Sequence, residues 1–571
     1  LAQQVVQPIT FGSDTCDVHI YRFKAYDAAL NDEDILANHI AEAPTAEEMI
    51  ARFERNNFMD ENGEIDITKL SQLYPNLRIL LITCPRFTND KKDKVKKCTV
   101  QQIMGNGDPK HNWTAGNVQI KGQGTSSNAY GTAGRNIDLK MSEVTKGEGD
   151  AFVFEDGTTA KKYAMTSPDA ANNIPGSVPV NYFNVKVNIA SSEGANNARL
   201  AERFNKFNPF IREARQKDPR VRDTMEFHPC VIFVKELGTS PDGNQEFAPE
   251  DNPKFHFYAC GDMGNSKKNS EAMGMDEKNL KECIVEISNN TEAGCLFRTA
   301  PGWSEILPDE YPGDPKKSVW EGDVVEFRHP EDIYDRMNPD EYDINDYINE
   351  QTNAEQAQAL INAEIDAAKA QFATLKAQTR RLWNWVESCD VVGLDPVSDA
   401  EEIARRQKKF LDEYEQYFYK DSLLFHYLFT ERHLMVDNRA KNVFIHTVDG
   451  IHWDFCFDYD NDTAEGCDNV GDLKYRYGLE DIDINDAGFP VYNASNSALW
   501  VNVRQVLYSQ LKERYGTWES LGMWSSASVI ADFDDYQWYK PERLEMIDMR
   551  RKYIRPYTEG HYRSNIKENG D

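Results

Sequence analysis

The segment 437–442, Asp-Asn-Arg-Ala-Lys-Asn, places a carboxylate and a carboxamide five residues apart. Two more carboxylates, Asp460 and Asp462, follow at the end of a run that predicts a strand. In phosphoryl-transfer enzymes, a loop aspartate accepts the proton of the acceptor hydroxyl, an asparagine five positions later binds a divalent metal ion, and a later aspartate binds the metal that bridges the phosphates. The spacing therefore predicts that Asp437 acts on the hydroxyl and that Asn442, with one of the later aspartates, binds the metal.

Other interpretations of these residues stay open. Asp-Asn pairs are common in turns, and acidic strand ends are often only solvated surface. The run from Asp458 also opens like an EF-hand calcium loop, but its sixth position is Thr463 instead of glycine and its twelfth is Asn469 instead of glutamate. The calcium interpretation therefore largely fails. The sequence also contains no His-Arg-Asp or Asp-Phe-Gly triplet, so the chain is not an ordinary eukaryotic-type kinase.

The neighbouring residues predict the elements that position this loop. Residues 421–436 form an apolar run with helical character, and the Asp-Ser pair at its start suits an N-cap. Two strand-like runs, 443–448 and 451–455, flank an Asp-Gly pair, which is typical of two-residue hairpin turns. Helix, loop, hairpin and acidic strand end follow one another in the order that the C-terminal lobe of a protein kinase uses.

A second candidate site is a glycine-rich segment far upstream. Predicted strands at 117–121 and 135–141 flank residues 122–134, which are rich in glycine and small hydroxyl side chains. Glycines let backbone N–H groups approach phosphates, and Lys140 in the second strand would bring a cation near them. The segment has neither a Walker A pattern nor a Rossmann fingerprint. A loop that covers a nucleotide and an ordinary glycine-rich hairpin are both compatible with it.

These segments together resemble a known family. Residues 120–127, Ile-Lys-Gly-Gln-Gly-Thr-Ser-Ser, and 134–141, Gly-Arg-Asn-Ile-Asp-Leu-Lys-Met, resemble the opening signature of the spore coat protein H (CotH) kinases. That signature is a strand, a Gly-x-x-Ser turn and a Lys-rich strand. Residues 437–442 and 459–466 resemble the Lys-Asn and Trp-Asp-x-Asp segments of the same family, in the same order. The Lys-Lys pair of the family is replaced here by Gly134-Arg135.

The resemblance implies an α+β, bilobal protein-kinase-like fold and a phosphotransferase that uses Mg²⁺ and ATP. It implies that Asp437 and Lys441 act in the catalytic loop, and that Asp460 binds Mg²⁺ with help from Asn442 and Asp462. The residues that it implies for the nucleotide phosphates are Gly122, Gly124, Ser126, Ser127, Arg135 and Lys140.

The resemblance extends to the strand 185–190 and the predicted helix 196–204. The family carries an Arg-Asn pair on this helix, whereas the order here is Asn-Asn-Ala-Arg, which ends at Arg199. Glu202 on the same helix is a candidate for the anion that orients Lys140, as a helix glutamate does in protein kinases. An ordinary surface glutamate is the alternative.

Segments 468–475, 479–486 and 496–500 are most similar to CotH-like domains in virion proteins of tailed bacteriophages. This likeness implies a virion protein that is assembled in the host cytoplasm, with the bacterial cytoplasm as the alternative location. The implied partners are other virion structural proteins, one of which would carry the Ser or Thr acceptor, and an oligomer is possible. The alternative function is a catalytically inactive, architectural protein of the tail or capsid.

Composition and charge exclude several classes of protein. The 571 residues are 40% hydrophobic and include 10 Trp, 26 Tyr and 28 Phe, which excludes wholesale disorder. A formal net charge of −31 argues against nucleic acid or an anionic membrane as the main partner. No run of 18 apolar residues occurs, so no membrane span is expected.

The cysteines and the start of the chain give weaker indications. Ten cysteines without any Cys-x-x-Cys pair predict neither a zinc site nor a disulfide framework, and they suit a reducing cytoplasm. The first residue is Leu, and no signal-peptide pattern follows it. The sequence therefore predicts a processed product or part of a longer polypeptide.

The predicted organisation has four parts, at 1–110, 111–345, 346–420 and 421–571. The first is an N-terminal extension or docking domain, with a capping box at 45–48 and a buried strand at 77–83. The second is the N-terminal lobe and linker. The third is a helical hairpin, and the fourth is the C-terminal lobe with the catalytic and metal segments and a C-terminal extension.

The hairpin prediction rests on apolar residues that recur at steps of three and four between 353 and 388, interrupted at Thr379. A second helix is expected from Asp399 to about Tyr419, antiparallel to the first. The pair would serve as core scaffold or, alternatively, as a docking arm.

Overall fold

The fold is described from a computed structural model of the chain. The structure describes residues 66–86, 94–123, 136–140, 152–187, 196–237, 257–266, 269–288, 317–320, 323–349, 351–433, 435, 437–439, 441–456, 460–461, 464, 497–525 and 528–529. The helix predicted from the capping box at 45–48 lies outside these residues.

The larger of two sheets has nine strands in the order β2-β1-β8-β9-β7-β4-β3-β5-β6. Its strands are β1 (Arg78–Cys84), β2 (Val95–Ile103), β3 (Trp113–Gln123), β4 (Asn136–Lys140), β5 (Phe152–Phe154), β6 (Thr159–Ala160), β7 (Tyr182–Val187), β8 (Phe227–Glu236) and β9 (Phe257–Asn265). Because β2 also pairs with β3, the strands from β2 to β3 in this order form a closed ring. A closed ring removes exposed strand edges and encloses a core.

The smaller sheet carries the predicted catalytic segment. It has five strands in the order β11-β12-β10-β13-β14, and all of its pairings are antiparallel. The strands are β10 (Cys283–Ser288), β11 (Lys317–Trp320), β12 (Asp323–His329), β13 (Lys441–Thr447) and β14 (Asp454–Phe455). The predicted hairpin is confirmed, because β13 pairs with β14. The predicted two-residue turn is wrong, since the last register pair is His446 with Asp454 and the connection between them is longer. Gly450, with a φ of 75°, lies within this connection.

Helices surround the two sheets. They are α1 (Ile67–Leu73), α2 (Asn196–Phe207), α3 (Glu213–Lys217), α4 (Ile333–Met337), α5 (Ala354–Ser388), α6 (Ala400–Glu413), α7 (Lys420–Arg432), α8 (Ala498–Val506) and α9 (Tyr508–Ser520). The predicted helix over 421–436 is therefore α7, which begins before the Asp-Ser pair and ends before residue 436. Ser422 does not cap it; instead its Oγ accepts a hydrogen bond from the Phe455 N–H at 2.8 Å and so connects α7 to β14.

Helix α5 confirms the long amphipathic helix of the sequence analysis. A capping box formed by Asn353 and Gln356 starts it, and its apolar seam is buried. Trp385 near its end stacks on Phe410 of α6 with ring centroids 5.2 Å apart, and on Tyr417 at 4.3 Å. The buried seam and these aromatic contacts favour the interpretation of the helix pair as core scaffold over that of a docking arm.

A small cluster of buried residues joins the two sheets. Ala201 of α2 and Phe227 of β8 pack there against Ile284 of β10, Phe444 of β13 and Cys456. On β13, Phe444 faces this cluster, whereas Val443 and Ile445 face the core of the small sheet. The start of β8, at Phe227, therefore packs against the small sheet, whereas Val231 and Phe233 further along the strand pack in a separate cluster beside α1.

The sheets divide the sequence differently from the predicted parts. Strands β1 and β2 pair with β8 and β3, so the predicted boundary at residue 110 falls within one sheet. Strands β10 to β12, from the predicted second part, share a sheet with β13, which pairs with β10. These pairings join distant segments, and hydrophobic periodicity carries no information on such partners. The mixed architecture confirms the α+β class. No helix in the described ranges has both the length and the apolar character needed to cross a membrane.

Substitution of Gly264 by alanine should destabilise the protein, because the new Cβ would overlap the Phe227 ring at the junction of the two sheets. We expect a loss of about 1–3 kcal/mol in the free energy of unfolding, measured by urea denaturation. Gly116→Ala is the matched control, since a Cβ there meets nothing within 4 Å. Equal midpoints and m-values for the two variants would contradict this account of the packing.

Candidate functional site

Asn442 and Asp460, two of the three predicted metal ligands, lie next to each other. The Asn442 Nδ2 donates a hydrogen bond to the Asp460 Oδ2 at 3.4 Å. Asn442 is the second residue of β13, and Asp460 follows β14, so the hairpin brings the two side chains together. Asp462, the third predicted ligand, lies outside the described residues.

A lysine from the large sheet completes this group. The Lys186 Nζ lies 2.9 Å from the Asp460 Oδ1, and the two side chains are 6% and 26% exposed. Lys186 belongs to β7, where Phe183 and Val185 face the core of the large sheet. Because strand residues alternate, Lys186 projects from the opposite face, toward the small sheet. The ion pair therefore connects the two sheets.

The face of the large sheet around Lys186 is polar. Asn184 lies on the same face of β7, and Asp262 of β9 is the direct register partner of Lys186. Both are fully buried. Among the described residues, neither the Oδ1 nor the Nδ2 of Asn184 has a hydrogen-bond partner. This face of the large sheet therefore places an amide and two carboxylates close to one lysine.

Asn442 and Asp460 both have left-handed backbone conformations, with φ of 56° and 60°. Asparagine and aspartate tolerate this region better than other residues with a Cβ, but it still costs about 1–3 kcal/mol at each position. Such conformations persist where the surrounding structure fixes them. Here they direct the two side chains toward each other.

A buried ion pair connects the loop before β13 to helix α7. The Arg439 Nη2 lies 2.8 Å from the Glu431 Oε2 of α7, and both side chains are fully buried. The same guanidinium donates to the Thr430 Oγ1 at 2.9 Å and to the Tyr427 carbonyl at 2.7 Å. Arg439 therefore fixes the short turn Asp437–Arg439 to α7.

Two further side chains hold the backbone of this turn. The Trp500 Nε1 donates to the Arg439 carbonyl at 2.8 Å. The His426 Nε2 lies 2.9 Å from the Asn438 carbonyl. Burial lowers the pKa of His426 to about 3, so the ring is neutral at pH 7 and must carry its proton on Nε2 to donate to this carbonyl.

Side-chain amides connect the turn, the metal segment and α2. The Asn438 Nδ2 donates to the Asn461 Oδ1 at 3.2 Å, and the Asn461 N–H donates to the Asn197 Oδ1 at 2.7 Å. The predicted helix at 196–204 therefore contributes Asn197. Glu202 is exposed and pairs with Arg199 at 2.8 Å, which is the surface alternative named in the sequence analysis; nothing is described of the side chain of Lys140, its predicted partner.

The remaining predicted site residues lie in the anchored turn, in β13, in the large sheet or outside the described ranges. Asp437 lies in the anchored turn, and nothing is described of its side chain. Lys441 is the half-buried first residue of β13. Gly122 is buried in β3 and pairs with β4, and the Lys140 backbone pairs with Tyr182 of β7. The residues that lie outside the described ranges are Gly124, Ser126, Ser127 and Arg135.

Sequence reasoning missed Lys186, which the structure pairs with Asp460. The signal was present in the segment 185–187, Val-Lys-Val. A lysine between two valines of a strand has to reach a carboxylate or water from a largely buried position. Its partner, 274 residues further along the chain, could not be identified from this local pattern.

The arrangement has the donor types of a magnesium site. Carboxylate and amide oxygens are hard ligands, and Mg²⁺ in phosphoryl-transfer sites is commonly held by one or two carboxylates together with phosphates. Asp460 is partly exposed and can exchange a hydrogen bond for a metal contact. Asn442 offers its Oδ1 to a metal after rotation of the amide.

No family model matches the chain, and no curated protein matches it.

Replacement of Arg439 by alanine should destabilise the protein by about 3–5 kcal/mol, because it removes the guanidinium that pairs with the buried Glu431 carboxylate. Urea denaturation of the parent and the variant measures this loss. Arg405→Ala is the control, since Arg405 and Glu402 form an exposed pair 2.7 Å apart, and exposed ion pairs contribute little to stability. A loss at Arg439 no larger than that at Arg405 would refute the anchoring role.

Proposed function

We propose that this chain is a Mg²⁺- and ATP-dependent phosphotransferase with a bilobal, protein-kinase-like arrangement. One observation carries the proposal: Lys186 of the large sheet, Asp460 and Asn442 converge in the cleft between two sheets. In the kinase template, a strand lysine binds nucleotide phosphates, and a later aspartate and a loop asparagine bind the metal ions. Lys186, Asp460 and Asn442 have the three side-chain types that the template uses in these roles.

The order of elements supports the same assignment. Helix α7, the anchored turn, β13, β14 and Asp460 follow one another, as helix, catalytic loop, hairpin and metal-binding aspartate do in the template. The lysine comes from an upstream sheet that packs against this unit. Lys186 therefore takes the phosphate-binding role that the family resemblance suggested for Lys140 or Arg135.

The electrostatics of the site suit a polyphosphate. When bound, Mg²⁺ would neutralise charge that develops on the transferred phosphoryl group. Lys186 would contact phosphate oxygens as a point charge at the floor of the cleft. Asp460 holds the Lys186 ammonium in place, and Asn442 holds Asp460, so the groups are positioned before a ligand enters.

Asp437 is assigned to the acceptor hydroxyl. It lies five residues before Asn442 and begins the turn that Arg439, Trp500 and His426 hold. A base must be placed within hydrogen-bond reach of the proton that it accepts, and a rigid turn restricts where the carboxylate can go. The acceptor is proposed to be a Ser or Thr of a virion structural protein, on the basis of the sequence resemblance of segments 468–500.

Binding of Mg-ATP should depend on Asp460 and Lys186. Isothermal titration with Mg-ATP should show a dissociation constant raised about tenfold or more in Asp460→Asn and in Lys186→Met, because each loses a charged contact to the ligand or its metal. Lys162→Met is the matched control, since Lys162 forms an exposed pair with Glu271 and should bind as the parent does. Circular dichroism melting of every variant checks that it is folded.

Transfer should be separable from binding. With γ-labelled ATP and Mg²⁺, Asp437→Asn should retain nucleotide affinity but lose about 10²–10⁴-fold in the rate of label transfer, to itself or to virion proteins. Asp449→Asn, at an exposed turn of the β13–β14 hairpin, should transfer as the parent does. If Mg-ATP neither binds nor raises the melting temperature of the parent, the architectural alternative replaces the enzymatic one.

A further inference from the structure

Three side chains of metal-ligand type lie together on the β13–β14 hairpin, and none of them belongs to the candidate nucleotide site. They are His446, Asp454 and Cys456, and one ligand atom from each lies within 4.8 Å of the others. The three residues are 2%, 1% and 4% exposed. The proposed phosphoryl transfer uses none of them, and the spacing of the cysteines along the chain gave no indication of this group.

The hairpin geometry explains why the three share one face. His446 of β13 and Asp454 of β14 are direct register partners, and the side chains of such a pair project to the same side of a sheet. Cys456 stands two residues after Asp454 and therefore projects to that side as well. Its N–H donates to the Phe444 carbonyl at 3.3 Å, which continues the pairing of the hairpin.

The Glu282 carboxylate contacts His446 at the ring nitrogen opposite the one that faces Asp454. The Glu282 Oε1 lies 3.1 Å from the His446 Nε2, and the Asp454 Oδ2 lies 2.8 Å from the Nδ1. Metal-binding histidines usually donate their second ring N–H to such a carboxylate, which fixes the tautomer and the ring orientation. A proton on Nε2, directed at Glu282, leaves the Nδ1 lone pair directed toward Asp454 and Cys456.

Asp454 gives an independent indication that this group can bind a cation. Its Oδ1 is buried and has no hydrogen-bond partner among the described residues. The Cys456 thiol lies close to this carboxylate, but a thiol is only a weak donor. A carboxylate oxygen that is buried away from water without a hydrogen-bond partner has a large desolvation cost, and a bound metal ion is one of the few groups that offset this cost.

We propose that His446, Asp454 and Cys456 bind a structural transition-metal ion, with Zn²⁺ as the best fit and Glu282 as the supporting carboxylate. One imidazole nitrogen, one carboxylate oxygen and one thiolate sulfur are ligands of Zn²⁺ and do not suit Mg²⁺ or Ca²⁺. Ligand atoms around tetrahedral Zn²⁺ are about 3–4 Å apart. The atoms here lie within 4.8 Å of one another, and the His446 Nδ1 and the Asp454 Oδ2 are 2.8 Å apart, so small side-chain shifts would bring the group into that range.

The charges around the group are compatible with a divalent ion. Arg212 and Asp223 form an ion pair at 2.9 Å on the side of α3, and both are buried. His329, near Glu282, has its pKa lowered by burial to about 4 and is neutral at pH 7. Zn²⁺ would displace the thiol proton, so that a thiolate and the Asp454 carboxylate would both face the divalent ion.

The ion would hold the start of the segment that leads to Asp460. Cys456 precedes Asp460 by four residues, and a ligand bond at Cys456 fixes the point from which that segment leaves β14. The inference does not depend on the proposed phosphotransferase activity, because it concerns different residues and a different class of metal.

Metal analysis of the full-length chain tests the proposal. After removal of any affinity tag and equilibration with ZnSO₄ followed by desalting, plasma mass spectrometry should find about one Zn per chain. Cys456→Ser and Asp454→Asn should each lower this content at least about tenfold at limiting Zn²⁺. Cys389→Ser, at a buried cysteine elsewhere in the fold, should retain it. Asp460→Asn should retain it too, which separates this test from that of the nucleotide site.

Cobalt provides a readout that does not depend on how well the variants fold. Parent protein loaded with Co²⁺ should show a thiolate-to-metal charge-transfer band together with the visible bands of tetrahedral coordination. A parent that binds neither Zn²⁺ nor Co²⁺, or that binds Co²⁺ without the thiolate band, would overturn the proposal. In that case His446 bridges Glu282 and Asp454 through hydrogen bonds alone.

Discussion

The ion pair between Lys186 and Asp460 is the contact on which the rest of the arrangement depends. The lysine side chain is almost fully buried and lies 2.9 Å from the carboxylate. A buried ammonium is costly unless it is paired, so this contact favours an arrangement in which β7 and Asp460 stay together. The contact therefore helps to hold the two sheets next to each other. It also leaves Asp460 partly exposed, at the place where a metal-bound phosphate could be received.

Most of the residues that stabilise this site are not members of the site itself. Arg439 and Glu431 form a fully buried pair that fixes the turn before β13, and Trp500 holds the same turn through its backbone. Such support allows Asn442 and Asp460 to keep left-handed conformations that would otherwise relax. The site is therefore rigid because of packing behind it, which is the usual basis of catalytic positioning.

Local sequence patterns predicted several of the helices and strands. The features that these patterns did not predict depend on contacts between segments that are far apart in sequence. The Asp-Gly turn predicted the β13–β14 hairpin, and the apolar seam predicted α5 to within one residue. The kinase spacing predicted that Asn442 and Asp460 share a site, and the structure brings them together. Lys186 and the closed ring of the large sheet were not predicted, because both depend on register between segments that are far apart in sequence. His446, Asp454 and Cys456 were missed because only cysteine pairs were considered as metal sites.

A crystal structure with Mg²⁺ and a non-hydrolysable ATP analogue tests the central claim most directly. The account predicts that the nucleotide lies between the sheets, that Mg²⁺ is bound by an Asp460 oxygen, and that the Lys186 Nζ moves from the carboxylate to a phosphate oxygen or bridges the two. A nucleotide bound elsewhere, or a cleft in which the Lys186–Asp460 pair is unchanged at saturating ligand, would contradict it.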